Sequence, residues 1–540
     1  MRKKNWYQNL GGKLPALCMA SIMGIMTFTG CSADNTSGDT TDTAEAVNVT
    51  QTAADPQISV NTEQNIEEAK EPKYIFLFIG DGMGFPQAAA YGIYTGTTVH
   101  NFTGTLDDPT IDNLPQAQNA SFMNFPTVGA VTTYDASKFV TDSASAATAI
   151  ASGVKTLDGS IGVDPNGESV PTIAEMLKEQ KGYKIGVITT VSLNHATPAG
   201  FYAHVKSRSD LLTIGEHLAA SDFDFFGGGG INVDEEEDRD VIMAKIEDSG
   251  YNIVNTKEDI LNLTADSGKT VAINEVLSTD SDINYSVDQT SEDLKLSDYV
   301  RKGIEVLDND TGFFMMVEGG KIDWSAHTND AYTTINEVQE LDSAVDEAVK
   351  FYAEHPEETL ILVTGDHETG GMALGNNTTF YDTYYAAMDK QQMSFKSFNT
   401  EYLEKYRENQ TPFEDAMKDV KEQFGLMMPD DPDAEQDDTL LMTNDDVESL
   451  RKAYEVSMIP YDDRELTKEY ENKYSQYDYE PFQLMITRTV NSKVGIGWAT
   501  TAHSGLPVAI YAMGAGMETF AGFIDNTDIC NNLKILTNIE

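Results

Sequence analysis

Six short, near-continuously apolar runs constrain the fold more than any other feature of the chain. They are Tyr74–Ile79 (YIFLFI), Val128–Thr133 (VGAVTT), Lys184–Thr190 (KIGVITT), Phe313–Val317 (FFMMV), Thr359–Thr364 (TLILVT) and Val508–Met513 (VAIYAM). A strand with one wet face alternates apolar and polar residues; these runs do not, so both faces must be covered. Helical patterns lie between them, for example at Val170–Gln180 and Thr334–His355. The rhythm predicts an α/β fold, a doubly wound, mostly parallel central sheet with helices on both faces. In such a sheet ligands bind beyond the carboxyl ends of the strands.

Charge narrows the function. Of 540 residues, 88 are Asp or Glu and 36 are Lys or Arg, a formal net charge of −52. That excludes nucleic-acid binding, which depends on Lys and Arg neutralising phosphates. A mean hydropathy of −0.35 excludes a multi-span membrane protein. With 40% hydrophobic and 9% aromatic residues, wholesale disorder is excluded as well.

The N-terminus reads as an address. Arg2, Lys3, Lys4 and Lys13 precede an apolar run, Leu14–Phe28, too short to span a bilayer. It closes on Phe28-Thr29-Gly30-Cys31, which resembles a bacterial lipobox. That resemblance implies a signal peptide over 1–30, lipidation of Cys31 and an exported chain whose only membrane contact is its lipid. Residues 31–71 are polar, with almost no aromatics, and read as a flexible tether. The body is expected at 72–540. Within it, about 375–495 breaks the strand–helix rhythm and reads as a helix-rich, acidic insertion. Its segment Pro429–Asp438 lacks the central glycine of an EF-hand loop and reads as solvated surface, and Asp234–Asp238 as a solvated loop or helix start. Cys530 is the one cysteine of the body, which predicts a small buried residue and no disulfide framework.

Chemistry-bearing residues follow the apolar runs. Gly80-Asp81-Gly82 follows the first, Glu318 through His327 (EGGKIDWSAH) the fourth and Gly365-Asp366-His367 the fifth; His503 precedes the last. Asp and His suit zinc. Asp323 and His327, four apart, share one face of a helical turn. Thr141-Asp142-Ser143 opens an Ala-rich helix, where a serine meets free N–H groups and a positive dipole; the plainer roles are capping for Ser143 and packing for Ser145. Arg208, closing the segment HATPAGFYAHVKSR (195–208), offers a fork for a phosphoryl group.

Together GDGMG, TDSASAATA with GVKT, HATPAGFYAHVKSR, VEGGKIDWSAH, TGDHETGG and the late TAH resemble the alkaline phosphatase family, in order from Asp81 onward. The resemblance implies a phosphate monoester hydrolase working through a phosphoserine on Ser143, with Arg208 gripping the phosphate. It implies one zinc held by Asp323, His327 and His503, a second by Asp81, Asp366 and His367, and a third ion, usually magnesium, by Asp81, Thr197 and Glu318. His195 stands where some relatives have Asp, and Trp324 where some have Lys or His; both are expected beside the metal site rather than on it. Substrates are expected to be small extracytoplasmic phosphate monoesters, hydrolysed at alkaline pH. Relatives are commonly dimers, so a homodimer is a candidate assembly. The alternatives are a phosphodiesterase or nucleotide pyrophosphatase of the same superfamily, disfavoured by the third metal site, and a catalytically dead surface-binding lipoprotein, which would lack a ligand. A sulfatase is disfavoured further, since no Cys/Ser-x-Pro-x-Arg motif appears.

Overall fold

The computed structural model describes residues 71–100, 116–435, 438–475 and 479–540. The expected signal peptide, Cys31 and the tether up to residue 70 lie outside the described residues.

Ten strands form one sheet: β1 (Tyr74–Gly80), β2 (Thr127–Thr132), β3 (Lys184–Thr189), β4 (Phe225–Gly228), β5 (Asn252–Val254), β6 (Thr270–Ile273), β7 (Phe313–Gly319), β8 (Thr359–Gly365), β9 (Val508–Gly514) and β10 (Gly522–Asp525). Their order is β10-β2-β9-β8-β1-β7-β3-β4-β6-β5. All neighbours pair in parallel except β9, which is antiparallel to both β8 and β2. All seven residues of β1, β7 and β8 are buried. Their alternate side chains enter two separate cores. Ile75, Leu77 and Ile79 pack with Ile150, Ile173 and Leu177 on one face. Phe76 and Phe78 pack with Val338, Leu341 and Phe351 on the other. The doubly wound, mostly parallel sheet is therefore as expected. Each fully buried large apolar side chain of these central strands contributes roughly 1.5–3 kcal/mol.

Five helices matter for the site: α1 (Ser143–Ser152), α2 (Ile173–Lys181), α3 (Leu211–Ala220), α4 (Lys321–His327) and α5 (Ala331–Glu354). Between Leu374 and Ile496 the chain is largely helical, including Phe413–Phe424, Asn444–Ser457 and Pro481–Val494. This segment has its own apolar cluster, with Phe398, Phe413, Tyr454 and Phe482 packed together and continued by Ala331 and Ile335 of α5. The run Asp234–Asp238 leads into a helix at Glu236–Asp248. Cys530 is fully buried and free. No helix among the described residues is long and apolar enough to cross a membrane.

Candidate active site

Register brings the site together. Gly80 of β1 lies level with Gly319 of β7 and with Gly365 of β8, so three central strands end at one height. Asp81 and Asp366 are the next residues of their strands, and Glu318 lies level with Ile79 and with Thr189 of β3. Because β9 runs antiparallel to β8, the chain entering it passes the same end of the sheet, which delivers His503 there. Gly82 is needed where it stands. Its φ is +71°, and an added Cβ would lie 2.8 Å from Thr369 Oγ1 and 2.9 Å from the Asp323 Cα.

Three donor groups result, each with ligand atoms within 4.8 Å of one another: Asp323, His327 and His503; Asp81, Asp366 and His367; and Asp81, His195 and Glu318. In the first, His327 Nε2 is 3.2 Å and His503 Nε2 3.6 Å from Asp323. His327 Nδ1 lies 2.8 Å from the Thr501 carbonyl, and His503 Nδ1 2.8 Å from that of Thr141. Those carbonyls hold the Nδ1 protons, so the two Nε2 atoms meet at 3.1 Å, a pairing that a shared proton or cation relieves. In the second group His367 Nε2 is 3.4 Å from both Asp81 and Asp366. In the third, Glu318 accepts a hydrogen bond from Thr189 through one oxygen only. Both Asp81 carboxylate oxygens, Asp366 Oδ2, Glu318 Oε1, Thr197 Oγ1 and His195 Nδ1 are buried without a hydrogen bond of good geometry. Buried acceptors are rarely left so. Four carboxylates and four imidazoles, with bare acceptors on Asp81, Asp366 and Glu318, suit divalent cations.

Electrostatics says the same. Burial, then the charges of Asp366, Asp323 and Glu318, pushes Asp81 well above the usual carboxylate range. Burial foremost pushes Asp366 up to about 8 and Glu318 up to about 7. Burial alone would raise Asp323 too, but ion pairing with His327, and then the charges of His503 and His367, hold it below its usual value. Burial, followed by the neighbouring His503, drives His367 well down. Without cations this much carboxylate takes up protons.

Ser143 is the first residue of α1. The capping role belongs to Asp142, whose backbone is extended (φ −109°, ψ 168°) and whose side chain accepts from the Ser145 N–H. Ser143 Oγ therefore faces the cluster, 3.2 Å from His367 Nε2. Ser145 hydrogen-bonds Asp142 and Thr141 instead. Arg208 donates to Asp142 Oδ2 at 3.0 Å, and its other prong is 3.3 Å from His195 Nε2. Burial and the adjacent Arg208 charge push His195 down to about 3, so its imidazole is neutral. Trp324 packs edge-on against His195, ring centroids 5.7 Å apart. The structure thus brings together Ser143, Arg208, His195, Trp324 and the seven carboxylate and histidine residues expected to hold metals, while Thr197 is buried with its hydroxyl unpaired. It also puts His195 nearer than expected, as a member of the third donor group.

Sequence reasoning missed Asp142 as the joint between Ser143 and Arg208, although an Asp just before an Ala-rich helix is a capping signal. It missed Thr369, which donates to Asp323 at 2.5 Å and lies 3.3 Å from His367 Nδ1. It also missed Lys396, carried by the helical segment, whose Nζ lies 5.6 Å from the Trp324 ring centroid.

A family model described as alkaline phosphatase matches residues 72–539. The chain belongs to the alkaline phosphatase family. It is 28% identical to alkaline phosphatase 4 of Bacillus subtilis, covering 99% of both chains. It is 29% identical to alkaline phosphatase 3 of the same organism, over 86% of this chain and 88% of that one. Among solved structures, the cold-active alkaline phosphatase of the psychrophile Shewanella sp. superposes with a TM-score of 0.67 at 27% identity, over 86% of this chain and 99% of that one. The Thermus thermophilus alkaline phosphatase has the same fold, with a TM-score of 0.65 at 21% identity over 87% and 92% of the two chains. As an alkaline phosphatase, the chain is a metal-dependent phosphomonoesterase acting on small phosphate monoesters.

Proposed function

We propose that this chain is an exported alkaline phosphatase that hydrolyses phosphate monoesters through a phosphoserine on Ser143, at alkaline pH, with two zinc ions and a third ion of the magnesium class. The observation that carries the reading is the position of Ser143. It opens a ten-residue helix, lies 3.2 Å from His367, and directly follows Asp142, which holds the Arg208 fork.

Asp323, His327 and His503 would hold one zinc, and Asp81, Asp366 and His367 the other. Asp81, Glu318 and Thr197 would hold the third ion, with His195 close by. Bound there, divalent ions supply the concentrated positive charge that makes a hydroxyl nucleophilic and offsets charge on the leaving oxygen. The chain does the rest. Ser143 Oγ attacks phosphorus and the alcohol departs from the opposite side. Water later cleaves the Ser143–phosphate bond, restoring the hydroxyl and releasing inorganic phosphate. Arg208, held by Asp142, offers two parallel donors to the phosphoryl oxygens, and the first-turn N–H groups of α1 point at the same charge. His195, neutral, places no charge against Arg208.

The organisation proposed is a leader over 1–30, lipid on Cys31, a tether to residue 71, a body over 72–540 and an insertion at about 375–495, with a homodimer as the candidate assembly. The strongly anionic body suits a tethered enzyme that must stay off anionic lipid.

The test compares a chromogenic monoester with the matching diester at alkaline pH. The monoester is expected to be preferred. Ser143→Ala should lower its turnover roughly a thousandfold or more while leaving metal content intact. Chelation should abolish activity, and zinc plus magnesium should restore it. A diester preference, or a Ser143→Ala variant with wild-type turnover, overturns the reading.

A further inference from the structure

The segment that carries Arg208 is anchored at its other end by a histidine with no role so far. His204 Nδ1 lies 2.7 Å from the Gly162 carbonyl, and Nε2 lies 3.0 Å from Glu175 Oε1. Both neighbours are acceptors. A neutral imidazole has one N–H and cannot satisfy both, so the geometry calls for the imidazolium, donating at each end. Glu175 is itself fixed by the capping box of α2, its other oxygen accepting from the Thr172 N–H at 2.8 Å. The His204 N–H donates to His217 Nδ1 of α3 at 3.1 Å.

From His204 to Arg208 the chain is a five-residue strap laid along residues 159–162. Val205 and Ile161 exchange both backbone hydrogen bonds, at 2.8 and 2.9 Å, and the Arg208 N–H donates to Gly159 O at 2.7 Å. Gly159 N in turn donates to Asp142 Oδ1 at 3.0 Å, the carboxylate that also holds the Arg208 guanidinium. His204 thus pins the far end of a short ladder whose near end aims the fork. The hydrogen bonds of His204 go to Gly162, Glu175 and His217, none of them assigned to substrate or metal.

We propose that protonated His204, clamped between Gly162 and Glu175, is a positioning residue for Arg208 and sets the affinity of the enzyme for the phosphoryl group. This rests on the reading of Arg208 as the phosphate grip. Glu175 and His217 are the titratable groups facing the ring; Glu216 and Asp210 act on His217 from its own side. The bond to Glu175 outweighs burial and holds His204 above its ordinary value. The clamp is therefore complete at low pH and lost as pH rises through the folded-state value of His204.

The test is competitive inhibition by inorganic phosphate, measured on the metal-loaded full chain from pH 6 to pH 10. His204→Phe, which keeps a ring and removes both donors, should weaken inhibition roughly tenfold at pH 6 with a smaller change in kcat. The wild-type and variant curves should merge at high pH. Glu175→Gln should move the merging point to lower pH, and it decides the matter alone if His204→Phe does not fold. Arg208→Ala is the control. If it leaves phosphate inhibition unchanged, the reading of Arg208 fails. If Arg208→Ala weakens inhibition but His204→Phe matches wild type at pH 6 and loses only thermal stability, or Glu175→Gln leaves the pH dependence unmoved, the clamp is structural and the inference is overturned.

Discussion

Asp142 is the residue at which local structure, packing and function meet, and two substitutions separate its roles. Its Oδ1 accepts from Ser145 N at 3.0 Å, Ser145 Oγ at 2.6 Å and Gly159 N at 3.0 Å; its Oδ2 accepts from Arg208 at 3.0 Å. Asp142→Ala removes all four. Losing a helix cap costs about 1 kcal/mol. Stranding the Gly159 N–H costs roughly another 1–2 kcal/mol. The Arg208 pair adds about 1 kcal/mol, less than a buried pair would, since the arginine side chain is 31% exposed. The expected loss is about 3 kcal/mol. Asp142→Asn keeps an oxygen at the Oδ1 position and caps equally well, so only the Arg208 term goes, about 1 kcal/mol. Urea denaturation of the metal-loaded protein at pH 7, read as a shift of midpoint at constant slope, measures both. Burial alone would raise Asp142, but the Arg208 charge together with the hydrogen bonds from Ser145 and Gly159 holds it below the usual carboxylate range. Its contribution is therefore present above the ordinary value of 3.8 and lost as pH falls below it. The gap between wild type and Asp142→Asn should close on acidification. Equal losses from the two variants, or less than about 1 kcal/mol for Asp142→Ala, would refute the assignment of the cap to Asp142.

Other consequences follow from the same geometry. The metal-free protein should lose stability as pH rises through the range up to about 8, where burial holds Asp366 and Glu318 protonated; metal binding should release those protons and strengthen over the same range. Calorimetric titration in buffers of different ionisation enthalpy reads the release, and none at pH 7 contradicts the reading. A nitrogen from His195 in the third donor group softens a site that magnesium would want all-oxygen, so zinc should displace magnesium there more readily in wild type than in His195→Asp, as read by metal analysis after dialysis against both ions. Lys321 is buried and donates to Asp282 and the Ile283 carbonyl, its Nζ 3.6 Å from the Tyr285 ring centroid. Lys321→Met should destabilise by roughly 1–3 kcal/mol because it leaves Asp282 Oδ2 and the Ile283 carbonyl without their buried donor. Asp282 keeps its ion pair with Lys396, so a loss under about 1 kcal/mol would mean that Lys396 suffices.

Legibility followed burial. The central strands were readable because burial on both faces leaves only apolar side chains, as in Tyr74–Ile79. The short outer strands β4, β5 and β6 were not, since FFGG, NIV and TVAI are too brief to show a period. Strand β10 was missed for the opposite reason: at the sheet edge Phe523 is 67% exposed, and nothing in GFID marks a core. The clustering of Asp81, Glu318, Asp323, Asp366 and the histidines was legible as a list, because each follows or precedes an apolar run.

The sequence by itself singled out the candidate residues for the chemistry and placed them at strand ends, because residue type and the pattern of burial are local properties. Only the tertiary structure decided that Gly80, Gly319 and Gly365 stop at one level, that an antiparallel β9 returns His503 to that end, and that Asp142 ties Ser143 to Arg208. Strand order, register and ladder direction are settled by contacts between residues far apart in the chain, and no local pattern encodes a long-range pairing that depends on every other strand finding its place.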